Sequence, residues 1–158
     1  MARTQIPMAS EVEPAPTLIP LAMRLESDRW AVWQSTPHPD GPPRKVPHSV
    51  VTGGLAGSNR PEQWTTYPRA VAYLHSHPDA SGLAFRLGDG YAGVDFDACR
   101  DPDTGLFADA AWEEIKRLDS YTEISPSGTG AKVFMRATLP EGVSVSDGIR
   151  LALKSLSR

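Results

Sequence analysis

Apolar positions in this chain come in short runs cut by proline and glycine, which predicts many brief elements and few long ones. Residues 29–34 (RWAVWQ) read as a buried strand that ends at the proline-rich stretch 36–43. Residues 45–51 (KVPHSVV) form a second extended piece, followed by a glycine-bearing turn at 52–59. A helical region is expected over 60–75, with Pro68 in the first turn of its main helix. Residues 81–87 (SGLAFRL) and 91–96 (YAGVDF) read as strands joined through Gly88-Asp89-Gly90, a strong hairpin signal. The clearest helix is 106–118, where Ala111, Ile115 and Leu118 repeat at helical spacing on one face. Strands at 121–124 and 131–137 flank a polar loop, and 144–158 has the spacing of a short amphipathic helix. Helices interrupt strand pairs rather than single strands. That order predicts an α+β fold, a mixed β-sheet with flanking helices.

Composition narrows the class. The chain has 158 residues, enough to bury one core. Residues 1–20 hold Pro7, Pro14, Pro16 and Pro20 with few large apolar anchors, so they are expected to be a mobile leader. One domain is then expected over 21–158. No apolar run approaches the roughly 18 residues that a membrane helix needs, which argues against a membrane partner. No charged start leads into an apolar block, and the single cysteine, Cys99, cannot close an intrachain disulfide. A reducing, cytoplasmic setting is the simplest expectation. The net charge of -3 gives no bulk basic footprint for nucleic acid, but a local basic groove beside acidic metal ligands is compatible with it.

Two features carry possible chemistry. Asp95-Phe96-Asp97 closes a predicted strand, and alternate strand residues share a face. Two carboxylates on one face suit Mg²⁺ or Mn²⁺, hard cations that take oxygen ligands and keep positions open for phosphate. A solvated strand end is the plain alternative. The second feature is the loop Ser125, Pro126, Ser127, Gly128, Thr129, Gly130, Ala131, Lys132. Its glycines let backbone N–H groups approach an anion, and Lys132 adds positive charge. It lacks the glycine spacing and following helix of a Walker A loop. A plain polar hairpin turn is the competing reading. His75 and His77 have no third ligand at metal spacing, and residues 101–105 (DPDTG) read as a turn. Cys99 reads as a packed thiol, and Trp30, Trp33, Trp64 and Trp112 as core anchors.

Taken in order, RWAVWQ, then KVPHSVVTGGLAGSNRPEQWTTYPRAVAYL, GLAFRLGDGYAGVDFDAC and YTEISPSGTGAKVF, the chain resembles the catalytic core of phage and plasmid primase–polymerases of the archaeo-eukaryotic primase superfamily. The resemblance covers roughly residues 28–140. It implies an RRM-like sheet with flanking helices, incomplete at its C-terminal end, and DNA-directed nucleotidyl transfer. It assigns Asp95 and Asp97 to the catalytic metal ions. It assigns Ser125, Ser127, Gly128, Thr129, Gly130 and Lys132 to the nucleotide. The partners it implies are a nucleoside triphosphate and single-stranded DNA. Two departures matter. Lys132 stands where the family carries a histidine, and the family's third carboxylate on a later strand has no match, since Glu141 and Asp147 sit in no motif. The chain is then either part of a longer enzyme or a short relative turned to other use. The alternative function is a non-catalytic phage- or plasmid-derived module that binds a replication protein, a host-defence protein or nucleic acid.

Overall fold

A computed structural model describes residues 19–138. These fall into two compact units, one spanning Ile19–Leu87 and the other beginning at Gly88. The expected leader, apart from Ile19 and Pro20, lies outside the described residues. So do the expected C-terminal helix, Glu141 and Asp147.

The first unit opens with a short helix α1 (Leu21–Arg24), whose Met23 is buried. Strands β1 (Trp30–His38), β2 (Gly41–His48) and β3 (Gly82–Phe85) form an antiparallel sheet in the order β2-β1-β3. A 3₁₀ turn (Pro61–Gln63) precedes helix α2 (Tyr67–Ser76), which carries a proline in its first turn as expected. Trp30 is the anchor. Its ring meets Tyr67 and Phe85 edge-on, each at 4.9 Å between centroids, and its indole N–H donates to the Met23 carbonyl at 2.9 Å. Trp64 is also buried, whereas Trp33 and Trp112 are half-buried.

The proline-rich stretch is not a boundary. It is the far end of a hairpin, because β1 continues to His38 and β2 begins at Gly41. The prolines are tolerated for positional reasons. Pro42, Pro43 and Pro47 lie on β2, an edge strand, and Pro37 sits where the register shifts between Thr36 and His38.

The second unit contains β4 (Tyr91–Phe96), α3 (Asp109–Leu118), β5 (Tyr121–Ile124) and β6 (Ala131–Arg136). Its sheet is antiparallel with order β4-β6-β5. Phe96, Ala131 and Val133 bury one sheet face with Ala111 and Ile115 of α3. Val94, Met135, Phe107, Trp112 and Leu118 pack around that cluster. The helical stripe read from the sequence is therefore the stripe that builds this core.

The α+β class is what the structure shows, with its strands divided between two small antiparallel sheets. The expected hairpin of residues 81–87 with 91–96 is not formed. The Asp89-Gly90 turn itself is present, with positive φ at both residues, and two hydrogen bonds between Gly88 and Tyr91 close it. The ladder stops there, because β3 pairs with β1 while β4 pairs with β6. Burial decides the partners: Phe85 comes opposite Trp30, and Val94 comes opposite Val133. Among the described residues no helix is long and apolar enough to cross a membrane.

Val133 is completely buried, whereas Leu106 is about half exposed. Val133→Ala should cost about 2 kcal/mol of stability through lost burial and the cavity left behind. Leu106→Ala should stay within about 0.5 kcal/mol. Urea unfolding of the two variants followed by circular dichroism checks the difference.

Candidate functional site

Phe96 turns inward at 3% exposure, so Asp95 and Asp97 on either side of it turn outward. The chain then bends sharply, with Ala98 in the left-handed region at φ 49°. Asp95 lies directly opposite Lys132 on β6, and Lys132 lies directly opposite Glu123 on β5. An acid–base–acid row thus crosses all three strands on the face away from α3. Lys132 Nζ donates to Asp95 Oδ2 at 2.5 Å. The Tyr121 hydroxyl donates to Glu123 Oε1 at 2.6 Å. Among the described residues Asp97 makes no hydrogen bond or ion pair, and its side chain is exposed.

The polar loop between β5 and β6 is a built structure. Ser125 N–H donates to the Gly130 carbonyl at 2.9 Å, and Gly128 N–H to the Ser125 carbonyl at 2.8 Å. Gly130 N–H donates to Ser125 Oγ at 3.1 Å, and Thr129 N–H reaches Ser127 Oγ at 3.4 Å. The amides expected to face an anion at 128–130 are therefore turned to the loop's own oxygens. The groups shown to solvent are hydroxyls instead. Ser125, Ser127 and Thr129 form a chain with 2.9 Å at each link. Three hydroxyl hydrogens serve two links, so one remains uncommitted.

The segment after Asp97 clamps this loop. The Thr129 carbonyl accepts from Cys99 N–H at 3.0 Å and from Arg100 N–H at 2.9 Å. Arg100 Nη1 donates to the Gly128 carbonyl at 2.7 Å, while its guanidinium lies 5.9 Å from the Phe107 ring centre. Gly130 makes the closest approach. A β-carbon there would overlap the Phe96 carbonyl oxygen and lie 3.4 Å from Asp97 Cα. Glycine is thus required at 130 for space, whereas at 128 it is favoured by a φ of +76°.

Three participants escaped the sequence reading. Arg100 carried no recognisable spacing. Glu123 and Tyr121 were accessible, since pairing Ile124 with Ala131 across the predicted hairpin puts Glu123 beside Lys132. The DPDTG stretch is the turn it was read as, with Asp101 Oδ1 accepting from Asp103 and Thr104 amides at 2.8 and 3.2 Å. Those amides hold the Asp101 carboxyl below its ordinary pKa.

Cys99 packs against the core beside the acidic pair. Burial pushes its thiol pKa above the ordinary 9.0, its own backbone hydrogen bond opposes this, and the charges of Asp97 and Asp95 add to the rise. With the folded value raised, the thiol's contribution to stability is intact below the unfolded pKa and is lost as pH climbs through the folded one, in the alkaline range. Iodoacetamide should therefore modify native Cys99 more slowly than a free thiol at pH 8 and catch up only in stronger alkali. Gly130→Ala should separate loop from strand, lowering the unfolding midpoint and speeding Cys99 modification. Gly54→Ala, whose nearest neighbour lies at 3.8 Å, should do neither.

No family model matches the chain. Over 115 residues, 72% of the chain, it is 31% identical to the DNA primase-polymerase of Nitratiruptor phage NrS-1. The matched chain spans 15% of the length of that protein. Among the described residues no group of three or more His, Cys, Asp or Glu side chains is placed to hold a metal ion. By sequence, then, this chain is related to a phage DNA primase-polymerase.

Proposed function

We propose that this chain is a replication-related, primase–polymerase-like domain in which the β4–β6 strand pair and the loop before β6 bind a nucleoside triphosphate with Mg²⁺ or Mn²⁺. The observation that carries the reading is the pairing of Asp95 with Lys132 across β4 and β6, together with the close approach of Gly130, at the end of the hydroxyl loop, to the backbone of Asp97. Carboxylate oxygens suit a hard cation, and among the described residues Asp97 has no hydrogen-bond or ion-pair partner. The ion, when bound, would neutralise phosphate charge. Ser125, Ser127 and Thr129 would offer their remaining hydroxyl hydrogen to a phosphate oxygen, and Lys132 would add a point charge. DNA-directed nucleotidyl transfer on single-stranded DNA is the activity this arrangement would serve, and the relative carries the name DNA primase-polymerase.

One observation favours a second reading. With no third metal-binding side chain in place among the described residues, a nucleotide could be bound here without transfer. The domain would then be a non-catalytic module for a replication protein, a host-defence protein or nucleic acid.

Calorimetry with Mn²⁺ and a non-hydrolysable triphosphate separates these readings when paired with extension of primed single-stranded DNA. Asp97→Asn should weaken metal–triphosphate binding about tenfold, and Ser127→Ala about threefold. Extension that Asp97→Ala abolishes identifies an enzyme, and binding without extension identifies the non-catalytic module. Equal affinity in wild type and Asp97→Asn would refute the site.

A further inference from the structure

In the proposed site Lys132 serves the triphosphate, yet its ammonium is already bound to Asp95 at 2.5 Å. Held there, it cancels one of the two carboxylate charges that attract a divalent ion. Asp95, Asp97 and Lys132 together carry one negative charge rather than two. We infer that Lys132 is a tethered counter-ion whose transfer from Asp95 to phosphate couples cation binding to triphosphate binding. A divalent ion arriving at Asp95 and Asp97 displaces the ammonium, which then moves to the anion that accompanies the ion. The inference rests on the triphosphate reading of this site and names its regulation.

Three observations support the exchange. The pairing is set by backbone register, since Asp95 and Lys132 are direct cross-strand partners, so the contact does not depend on a chance side-chain excursion. It is also cheap to break. The lysine and aspartate side chains are 40% and 28% exposed, and pairs with that much solvent favour the bound form by no more than about fivefold. Finally, the released ammonium stays in the row. Glu123 faces Lys132 from the other side, and the loop ending at Gly130 is two residues away along the chain. A histidine could not play this part at neutral pH, because it would be mostly uncharged.

The test uses two probes separately, Mn²⁺ alone and a non-hydrolysable adenosine triphosphate analogue in chelator. Lys132→Met restores the second negative charge and should tighten Mn²⁺ binding on the order of tenfold over wild type. Lys132→Gln repeats that arm should the methionine variant fail to fold. Asp95→Asn releases the ammonium from Asp95 and should tighten metal-free triphosphate binding several-fold, a gain lost in Asp95→Asn/Lys132→Met. Unchanged or weaker Mn²⁺ binding in Lys132→Met, or no gain in Asp95→Asn, overturns the exchange. If wild type still binds Mn²⁺–triphosphate through Asp97 in that case, only the exchange falls. If wild type binds neither probe nor their mixture, the triphosphate reading falls and takes the exchange with it.

Discussion

The closeness of Gly130 to the Phe96 carbonyl is the constraint on which the second unit's chemistry depends. Strand β6 can start against the end of β4 only because residue 130 has no side chain. That start puts Ala131 opposite Phe96 and Lys132 opposite Asp95. One step of slippage would turn Val133 out of the core and Lys132 into it. The same register therefore serves burial and charge. Complete burial of Ala131 and Val133 opposes such slippage from the apolar face, and the Asp95–Lys132 pair opposes it from the polar face.

Much of this is legible in the sequence. The stripe of Ala111, Ile115 and Leu118, the strands at 121–124 and 131–137, and the intervening loop all follow from periodicity and turn residues. What escaped was long-range. The Asp89-Gly90 turn announces itself locally, but nothing local says that the strands beside it join different sheets. Proline in 36–43 reads as a break, yet an edge strand and a register shift accommodate it. At the site, sequence pointed to Asp95, Asp97 and the loop. The direction of the loop's amides needed coordinates, since local hydrogen bonds of Ser125 and Ser127 compete with a ligand for them.

The relation to a phage primase-polymerase draws attention to the charges that β4 and β6 bring together. Two carboxylates two residues apart, Asp95 and Asp97, are a concentrated negative charge. Lys132 opposite Asp95 lowers that charge. The cost is weak solvent-screened attraction rather than a buried ion pair, so the arrangement remains responsive to what binds.

The hydroxyl chain through Ser125, Ser127 and Thr129 has a direction, and that direction can reverse. If each hydroxyl rotates about its own C–O bond, the uncommitted hydrogen passes from the Ser125 end to the Thr129 end. The oxygens need not move, and the backbone clamp from Cys99 and Arg100 stays in place. The loop is thus rigid in shape but switchable in polarity. A donor can be presented at either end of the loop at the cost of hydroxyl rotation alone.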